Sequence, residues 1–396
     1  MRIAVFIKST TFHKGYGGLE TQNRALCEEL VTRGHDILVF SPQHELRFET
    51  KYENGVKYHF VPCVYRLARF NKENWFFKSY EIFSKFHKGG PFDLVVSQSS
   101  AGLGVSLKKK KHGVPVISIS HGSILGELKT RLQTVDCVKD YGRLLKDLPF
   151  VVNVFFGRQR QFIHASNRII AVSSSVKKAI VNETLISPEK VAVVNNGIDP
   201  SKIGCTKPMT FSSKATDGRV LYVGQVIKSK GVETLLELSK ETKFSGVSFD
   251  LIGGGDFLEK LQKIVRKDRL PNFHLYGKMP YEQVLSYFKD PSVSLFAFPT
   301  RREEGFPMVL VEAMFVGLPI VVYDMGGVRD AVFDGETGFL VAPGDYAEFK
   351  NKILELLQNS DLRAQMNAKS LEYAKKNFTI NKMVDDYEQV FKEVLS

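Results

Sequence analysis

The sequence predicts an α/β fold with two doubly wound parallel-sheet domains, and three observations lead to this class. Its 396 residues exceed the usual size of one domain and suit two domains of about 150–200 residues each. Hydrophobic residues make up 43% of the chain, which is ample for two buried cores. Short β-branched runs alternate with helical patterns along the chain, and this series occurs twice.

The predicted strands are near-continuous apolar runs, as expected of parallel strands that are covered on both faces. In the first half they are Ile3–Ile7, Ile37–Phe40, Leu94–Val96, Val116–Ile119, Ile169–Val172 and Val191–Val194. In the second half they are Val220–Val223, Phe249–Ile252, Phe273–Tyr276, Val293–Phe296, Ile320–Tyr323 and Phe339–Val341. Interleaved helical patterns, such as Glu20–Arg33, Val232–Thr242 and Pro307–Val316, supply right-handed crossover connections.

Three segments are expected along the chain. A first domain covers residues 1–195, a second covers 196–380, and a closing helix in 381–396 (pattern Lys382–Leu395) is expected to pack back toward the first domain. The boundary is placed in Asn195–Ser213, where Asn-Asn-Gly, Asp-Pro and Lys-Pro sequences break regular structure. Because open parallel sheets bind ligands at the carboxyl ends of their strands, a cleft shared by two such domains is the expected active site.

The net charge of +12 belongs to the first half of the chain. Residues 1–195 carry 29 Lys and Arg against 16 Asp and Glu, whereas residues 196–396 carry 26 against 27. This excess predicts an anionic partner for the first half, either a membrane surface or a phosphorylated substrate. Nucleic acid is a poorer explanation, because no recognition motif accompanies the charge.

Basic and aromatic side chains are interleaved in two stretches of the first half, and a third stretch is purely basic. The three are Arg66, Arg69 and Lys72 with Trp75, Phe76, Phe77 and Lys78; Phe155 to Arg160; and Lys108–Lys111. The mixture is typical of an interfacial helix on an anionic leaflet, and a solvated basic face is the alternative. No signal peptide and no membrane-spanning run is predicted, so a cytoplasmic protein is expected, either cytosolic or peripheral on the inner face of the cytoplasmic membrane.

The segment from Glu304 to Glu312 carries the most specific pattern. It follows a predicted strand and opens a helix, so Glu304 lies in the loop and Glu312 lies more than one turn inside the helix. The free amides from Phe306 to Leu310 form an anion site. A carboxylate beside an anion site makes sense if Glu304 accepts hydrogen bonds from a sugar and Glu312 from a ribose. Taken alone, the pattern also fits two solvated glutamates.

Residues Glu304 to Pro319 match the motif E-G-F-[PG]-x-x-x-x-E-A-x-x-x-G-x-P throughout. On this motif the sequence resembles the retaining glycosyltransferases of family 4 (glycosyl transferases group 1), and the resemblance extends over essentially the whole chain. It implies the GT-B fold, in which two Rossmann-like domains face each other across a cleft. It also implies that Glu304 contacts the donor sugar and Glu312 the nucleotide ribose. The other donor-binding residues expected here are Gly305, Phe306, Pro307, Met308 and Val309.

Residues Tyr222 to Gly231 resemble the family segment V-G-R-x-x-x-x-K-G, in which an arginine and a lysine neutralise the leaving diphosphate. Lys230 matches the lysine and is predicted to be catalytic; a solvated loop lysine is the alternative. Gln225 stands where the arginine usually is and brings no charge. A weaker or differently built clamp is therefore expected, and Lys228 is the candidate that compensates.

Further residues match family positions at the ends of predicted strands. His121 matches the histidine near the transferred sugar, with a purely structural histidine as the alternative. Gly17 and Gly18 look like the family's glycine loop, where paired glycines permit positive φ and expose amides to the donor diphosphate. Gly253 and the pair Lys278–Met279 match loops that approach the nucleotide, the second one near its base.

The resemblance implies a hexosyltransferase that uses a nucleoside diphosphate sugar and retains the anomeric configuration. The acceptor is expected to be a saccharide or a lipid-linked group in cell-envelope polysaccharide or glycolipid synthesis, bound mainly by the first domain. No cofactor is expected, and the lack of a D-x-D pattern favours a metal-independent enzyme. Two alternatives stay open, a nucleotide-sugar epimerase of the same fold and a non-catalytic protein that binds sugar nucleotides.

Overall fold

The computed structural model describes residues 1–14, 17–46, 48–63, 74–133, 157, 160–204 and 218–396, which form two compact units. The first unit comprises Met1–Gly126, the described part of 138–197, and Ile380–Ser396. The second comprises the described part of 127–137 and Ile198–Thr379. Each unit is built around its own sheet.

Strands and helices alternate through most of the described chain. The strands are β1 (Arg2–Phe6), β2 (Asp36–Pro42), β3 (Thr50–Glu53), β4 (Val56–Val61), β5 (Leu94–Gln98), β6 (Val116–Ser120), β7 (Arg168–Ala171), β8 (Val191–Val193), β9 (Arg219–Val223), β10 (Ser248–Ile252), β11 (Phe273–Gly277), β12 (Val293–Phe298), β13 (Ile320–Tyr323) and β14 (Gly338–Val341). The helices are α1 (Gly18–Thr32), α2 (Trp75–Gly89), α3 (Leu103–Ser106), α4 (Lys109–His112), α5 (Ile124–Gln133), α6 (Arg160–Ala165), α7 (Ser174–Thr184), α8 (Pro200–Ile203), α9 (Val232–Lys240), α10 (Leu258–Asp268), α11 (Tyr281–Phe288), α12 (Met308–Phe315), α13 (Tyr346–Gln358), α14 (Ser360–Asn377) and α15 (Ile380–Leu395).

The first unit has an eight-stranded sheet in the order β3-β4-β2-β1-β5-β6-β7-β8. All neighbouring strands are parallel except β3, which pairs antiparallel with β4. This edge hairpin was not predicted, although its turn at Asn54 and Gly55, both with positive φ, is a strong hairpin signal. The strand order reverses between β1 and β5, so their carboxyl ends flank the point where doubly wound sheets bind ligands.

The last helix, α15, belongs to the first unit and packs on α1. Its apolar face is buried, including Met383, Tyr387 and Phe391. The Arg33 guanidinium at the end of α1 donates to Asp385 at 2.6 Å and to Glu388 at 3.0 Å. Apolar burial together with this ion-pair cluster fixes α15 to the unit.

The second unit has a six-stranded, fully parallel sheet in the order β11-β10-β9-β12-β13-β14. Counted from β9, this is the 3-2-1-4-5-6 order of a dinucleotide-binding sheet. Its central strand β12 is apolar and buried from Leu295 to Phe298. The order reverses between β9 and β12, so the loops that follow these two strands are the expected ligand-binding elements.

The structure confirms the predicted α/β class. Each of the twelve predicted strands is present to within two residues at either end, and so are the four predicted helices. The chain passes from the first unit to the second at Gly197, and residues 205–217 of the predicted boundary segment lie outside the described residues.

Two of the predicted interfacial aromatics are instead core residues. Trp75 is fully buried, and its indole Nε1 donates to the Ala101 carbonyl at 2.7 Å. Phe76 is also buried, whereas Phe77 is 45% exposed. The prediction is therefore wrong for Trp75 and Phe76, because α2 uses them to pack on its own unit. Arg66, Arg69, Lys72 and residues 155, 156, 158 and 159 lie outside the described residues.

Candidate active site

Lys230 and Glu304 form an ion pair after β9 and β12, at the carboxyl ends where the second sheet reverses its order. Lys230 Nζ lies 2.6 Å from Glu304 Oε1, and the side chains are only 12% and 11% exposed. The Thr300 hydroxyl donates to the same carboxylate oxygen at 2.7 Å. The ammonium also lies 5.1 Å from the centroid of the Phe298 ring. A cation and a carboxylate are thus placed side by side at the topological switch point.

The loop after β9 is shaped to present Lys230. A 3-10 turn, Lys228–Lys230, ends at Gly231, which has a φ of +67°. A Cβ added to Gly231 would lie 1.8 Å from the Pro299 carbonyl oxygen, so only glycine fits. The Arg301 amide donates to the Ser229 carbonyl at 2.9 Å. The loops after β9 and β12 therefore hold each other in place.

A third loop supports Glu304 from the end of β13. The Gly327 amide donates to the Glu304 carbonyl at 2.7 Å. Gly326 has a φ of +60°, and a Cβ there would lie 2.3 Å from the same carbonyl oxygen. The backbone on both sides of the carboxylate is thus fixed before any ligand binds.

The predicted donor-binding residues after Glu304 lead directly into α12. Gly305 is half-buried, and the side chains of Phe306 and Pro307 are buried. Pro307 has an extended backbone with ψ of 106° and is the N-cap residue, so the helix begins at Met308, one residue later than predicted.

The amides in the first turn of α12 differ in whether they have a partner. The Leu310 amide donates to the Pro307 carbonyl at 3.0 Å and is therefore engaged. Within the described residues the amides of Met308 and Val309 have no hydrogen-bond partner. The Leu310 amide is therefore not available to an anion, and of the amides predicted in the helix those of Met308 and Val309 remain.

Glu312 lies on α12 beside Tyr281, the first residue of α11. The Tyr281 hydroxyl donates to Glu312 Oε1 at 3.1 Å. Burial raises the pKa of Glu312 to about 7, and the hydrogen bond from Tyr281 opposes this shift. The Tyr281 side chain is 42% exposed. Glu312 is thus a carboxyl group that titrates near neutral pH.

The loops after β9 and β10 are packed together through glycine. Gly253 has a φ of +141°, and a Cβ there would lie 1.8 Å from the Gly224 carbonyl oxygen. The Val226 amide donates to the Gly254 carbonyl at 3.0 Å. Between Gly224 and Val226 the side chain of Gln225 is exposed. The exposed Lys278 and the half-buried Met279 follow the next strand, β11.

In the first unit, His121 follows β6 and forms a hydrogen bond with Gln98, the last residue of β5. His121 Nε2 lies 2.7 Å from Gln98 Oε1. Burial lowers the pKa of His121 to about 4. The imidazole is therefore neutral throughout the physiological pH range.

Gly17 and Gly18 stand at the start of α1, and the reason predicted for these glycines is wrong. Gly17 has a φ of −139°, and Gly18 is the first residue of the helix, so neither uses a positive φ. The Gly17 amide donates to the Glu20 carboxylate at 2.9 Å. The chain itself thus satisfies an amide that was expected to face a diphosphate. A Cβ at Gly18 would meet nothing within 4 Å.

Three side chains that contact predicted site residues were not predicted from the sequence: Gln98 beside His121, Thr300 beside Glu304, and Tyr281 beside Glu312. Thr300 is a fully buried polar residue two positions after β12, and a polar residue at the end of an apolar strand was a usable signal. Tyr281 gave no signal, because its contact with Glu312 joins two helices that are distant in sequence. Among the described residues, no group of three or more His, Cys, Asp or Glu side chains is arranged to hold a metal ion.

Two family profiles match the chain. The profile described as Glycosyltransferase Family 4 matches residues 16–202, and the profile described as Glycosyl transferases group 1 matches residues 210–373.

Whole-chain similarity agrees with these matches. The chain is 28% identical to an uncharacterized glycosyltransferase of Methanocaldococcus jannaschii, over 93% of each chain. It is 25% identical to a capsular polysaccharide biosynthesis glycosyltransferase of Staphylococcus aureus, over 94% of this chain and 93% of the other. The crystal structure of an Anabaena protein in complex with UDP and glucose matches with a TM-score of 0.73 at 16% identity, over 99% of each chain. The predicted GT-B fold is confirmed.

Proposed function

The chain belongs to glycosyltransferase family 4, and from this premise we propose that it transfers a hexose from a nucleoside diphosphate sugar to an acceptor hydroxyl with retention of anomeric configuration. The acceptor class that we propose is a saccharide or lipid-linked group in cell-envelope polysaccharide or glycolipid synthesis. The observation that carries the proposal is the Lys230–Glu304 pair, with Nζ and Oε1 2.6 Å apart at the switch point of the second sheet.

The pair supplies the two chemistries that a sugar diphosphate needs. The Lys230 ammonium is suited to the leaving diphosphate, whose negative charge grows as the bond to the sugar breaks. The partial positive charge at the start of α12 adds to this stabilisation. Glu304 is suited to the neutral hydroxyls of the sugar. Its own charge is offset by Lys230, so it does not repel the diphosphate next to it.

The hydrogen bonds that Glu304 accepts support the proposed retention of anomeric configuration. Oε1 already accepts from Lys230 and from Thr300, which suits a fixed hydrogen-bond acceptor better than a free nucleophile. In the proposed step the bond between the anomeric carbon and the phosphate oxygen breaks, and a bond to the acceptor oxygen forms on the same face. The leaving phosphate oxygen takes the acceptor proton. No metal ion is required, and we propose that none is used.

The nucleoside would bind along the same edge of the second sheet. Glu312 would accept hydrogen bonds from the ribose, and Tyr281 would hold its carboxylate in place. The loops at Gly253 and Lys278 follow the adjacent strands β10 and β11 and would lie toward the base. The names of two similar proteins support the assignment: one acts in capsular polysaccharide biosynthesis, and the other was crystallised with UDP and glucose.

A ligand screen followed by product analysis tests the proposal. UDP, GDP, ADP and dTDP sugars are screened by thermal shift, in which a ligand at one hundred times its dissociation constant stabilises by about 2.7 kcal/mol. Incubation of the hit without acceptor separates the alternatives, because an epimerase alters the donor sugar whereas a transferase leaves it intact. Inverted configuration in the product would refute retention, and loss of activity in EDTA would refute metal independence.

We also propose that the first unit binds an anionic membrane surface. Phe77 on α2 is 45% exposed and Leu107, just after α3, is 54% exposed. Lysines flank them at Lys78 and Lys108–Lys111, and each basic group near an anionic leaflet contributes about 1 kcal/mol. No helix in the described ranges is long and apolar enough to cross a bilayer. Equal sedimentation with neutral and anionic liposomes would refute this attachment.

A further inference from the structure

Two buried amide side chains connect His121 to the helix that follows β1. Gln98 is the last residue of β5 and is 1% exposed, and Asn23 lies on α1 and is 2% exposed. β1 and β5 flank the point where the first sheet reverses its order. The amides are therefore placed at the ligand-binding edge of this sheet, and the function proposed above gives neither of them a role.

The hydrogen bonds of the two amides have a definite polarity. Gln98 Nε2 donates to Asn23 Oδ1 at 2.9 Å. The Gln98 oxygen is then the group that faces the imidazole, 2.7 Å from His121 Nε2. With the amides in this orientation the Gln98 oxygen accepts, and its hydrogen bond to the ring then requires a proton on His121 Nε2.

We propose that Asn23 and Gln98 are positioning residues that hold His121 in the Nε2-protonated neutral tautomer, so that Nδ1 accepts a hydrogen bond from a hydroxyl group of a ligand at this edge of the first sheet. The inference rests on the proposed function for the identity of the ligand. The tautomer itself follows from the three side chains of the first unit.

The surroundings of the ring agree with an acceptor role. Within the described residues Nδ1 has no hydrogen-bond partner, and it is not a buried unsatisfied atom, so it is accessible to a ligand. Burial lowers the pKa of His121 to about 4, so Nδ1 keeps its lone pair near neutral pH. A lone pair at this position favours a hydroxyl and opposes the carboxylate of a uronic acid. The hydrogen bonds from Asn23 through Gln98 to His121 thus favour a ligand with a neutral hydroxyl group at this position.

The tautomer is measured directly by two-bond ¹H–¹⁵N correlation spectra of the protein labelled with [¹⁵N]histidine. The spectrum of His121→Gln assigns the His121 signals among the nine histidines. We expect a protonated Nε2 and an unprotonated Nδ1 in the wild type. Gln98→Met and Asn23→Leu should give mixed tautomers, because each removes one of the two amides that fix the protonated nitrogen of the ring. A protonated Nδ1 in the wild type would overturn the proposal.

A kinetic comparison separates positioning from a merely structural role. The probe is whichever of UDP-glucose, UDP-galactose, UDP-N-acetylglucosamine and GDP-mannose the wild type turns over, and the matching free UDP or GDP serves as a competitive inhibitor. We expect Gln98→Met to lower kcat/KM about tenfold while the inhibition constant of the free nucleotide is unchanged. Lys51→Ala, at an exposed position of β3, is the control and should retain the wild-type kcat/KM.

The remaining outcomes are distinguishable. Equal losses in kcat/KM and in affinity for the free nucleotide would show a structural role and overturn the positioning claim. Unchanged kcat/KM in both Gln98→Met and Asn23→Leu would overturn it as well. Absence of turnover by the wild type with every donor and acceptor would count against the proposed function, while the spectra would still decide the tautomer.

Discussion

Replacing Lys230 by alanine separates the catalytic role of this lysine from its structural one. The substitution removes a cation that lies 2.6 Å from Glu304 Oε1. Among the described residues, the carboxylate, which is 11% exposed, then keeps only the Thr300 hydroxyl as a hydrogen-bond donor and has no cation beside it. Two losses follow from one change, one in the transition state and one in the folded state.

The loss of catalysis and the loss of folding stability differ in size, and a second substitution can reverse only the loss of stability. Loss of one preorganised transition-state donor costs about 2.7–4 kcal/mol, which corresponds to a fall in kcat of about 100- to 1000-fold. Removal of one partner from a buried ion pair costs up to about 3–5 kcal/mol of folding stability. Glu304→Gln in the same chain removes the unpaired charge. The double variant should therefore recover stability without recovering activity.

The assay combines initial rates with thermal unfolding of Lys230→Ala, Glu304→Gln and the double variant. Lys267→Ala, an exposed lysine of α10 in the same unit, is the matched control and should behave as the wild type. Turnover by Lys230→Ala within threefold of the wild type would refute the catalytic assignment. So would a double variant that regains activity together with stability, because Lys230 would then act only as the counter-ion of Glu304.

Four further predictions concern other residues of the second unit. Affinity for the donor should rise as pH increases through about 7, where Glu312 ionises, because the charged carboxylate is the stronger hydrogen-bond acceptor. Titration calorimetry measures this pH dependence, which should be lost in Glu312→Gln. In Tyr281→Phe the midpoint of the dependence should move to higher pH, because the hydrogen bond from Tyr281 lowers the pKa of Glu312. Since burial raises the pKa of Glu312, its ionisation lowers folding stability as pH rises from the unfolded-state value toward 7, so Glu312→Gln should be the more stable protein above pH 7. Gly231→Ala should lose activity and stability, because its Cβ would lie 1.8 Å from a carbonyl oxygen. Gly335→Ala, with a similar φ of +73° but open space around the Cβ, should lose only a little stability. Equal losses of stability in chemical denaturation would contradict this prediction. Gln225→Arg should keep or raise kcat/KM, since it adds charge to the proposed diphosphate clamp, and a tenfold fall would contradict the assignment.

All twelve strands predicted from the sequence are present in the structure. They could be predicted because parallel strands are short, apolar and separated by helices. The sequence did not reveal β3 and β4, since Thr50–Glu53 is mostly exposed and lacks an apolar run. It placed Lys230 and Glu304 each after a predicted strand, and the structure shows that these two strands, β9 and β12, are neighbours in the sheet. Contacts made by side chains across elements were out of reach: the Tyr281–Glu312 bond and the Asn23–Gln98–His121 chain depend on packing that no local pattern encodes.

Local conformation was also hard to infer from residue type. Gly17 was expected to use positive φ, yet it is extended and its amide is satisfied by Glu20. Gly231 and Gly326, which do need positive φ, were not singled out for it. A glycine in a sequence permits an unusual backbone, but only the neighbouring chain decides whether one is required.

Because α15 belongs to the first unit and follows the second unit in the chain, the first unit is completed only after the second unit has been synthesised. The α15 side chains Met383, Tyr387 and Phe391 fill the core of a unit whose other residues are synthesised about two hundred residues earlier. During synthesis the face of α1 that receives them stays uncovered, including Gln22, whose amide meets the Met383 sulfur at 3.7 Å. A fragment ending at Gly197 should therefore expose this apolar face and self-associate. Supplying residues 380–396 as a separate peptide should restore its solubility.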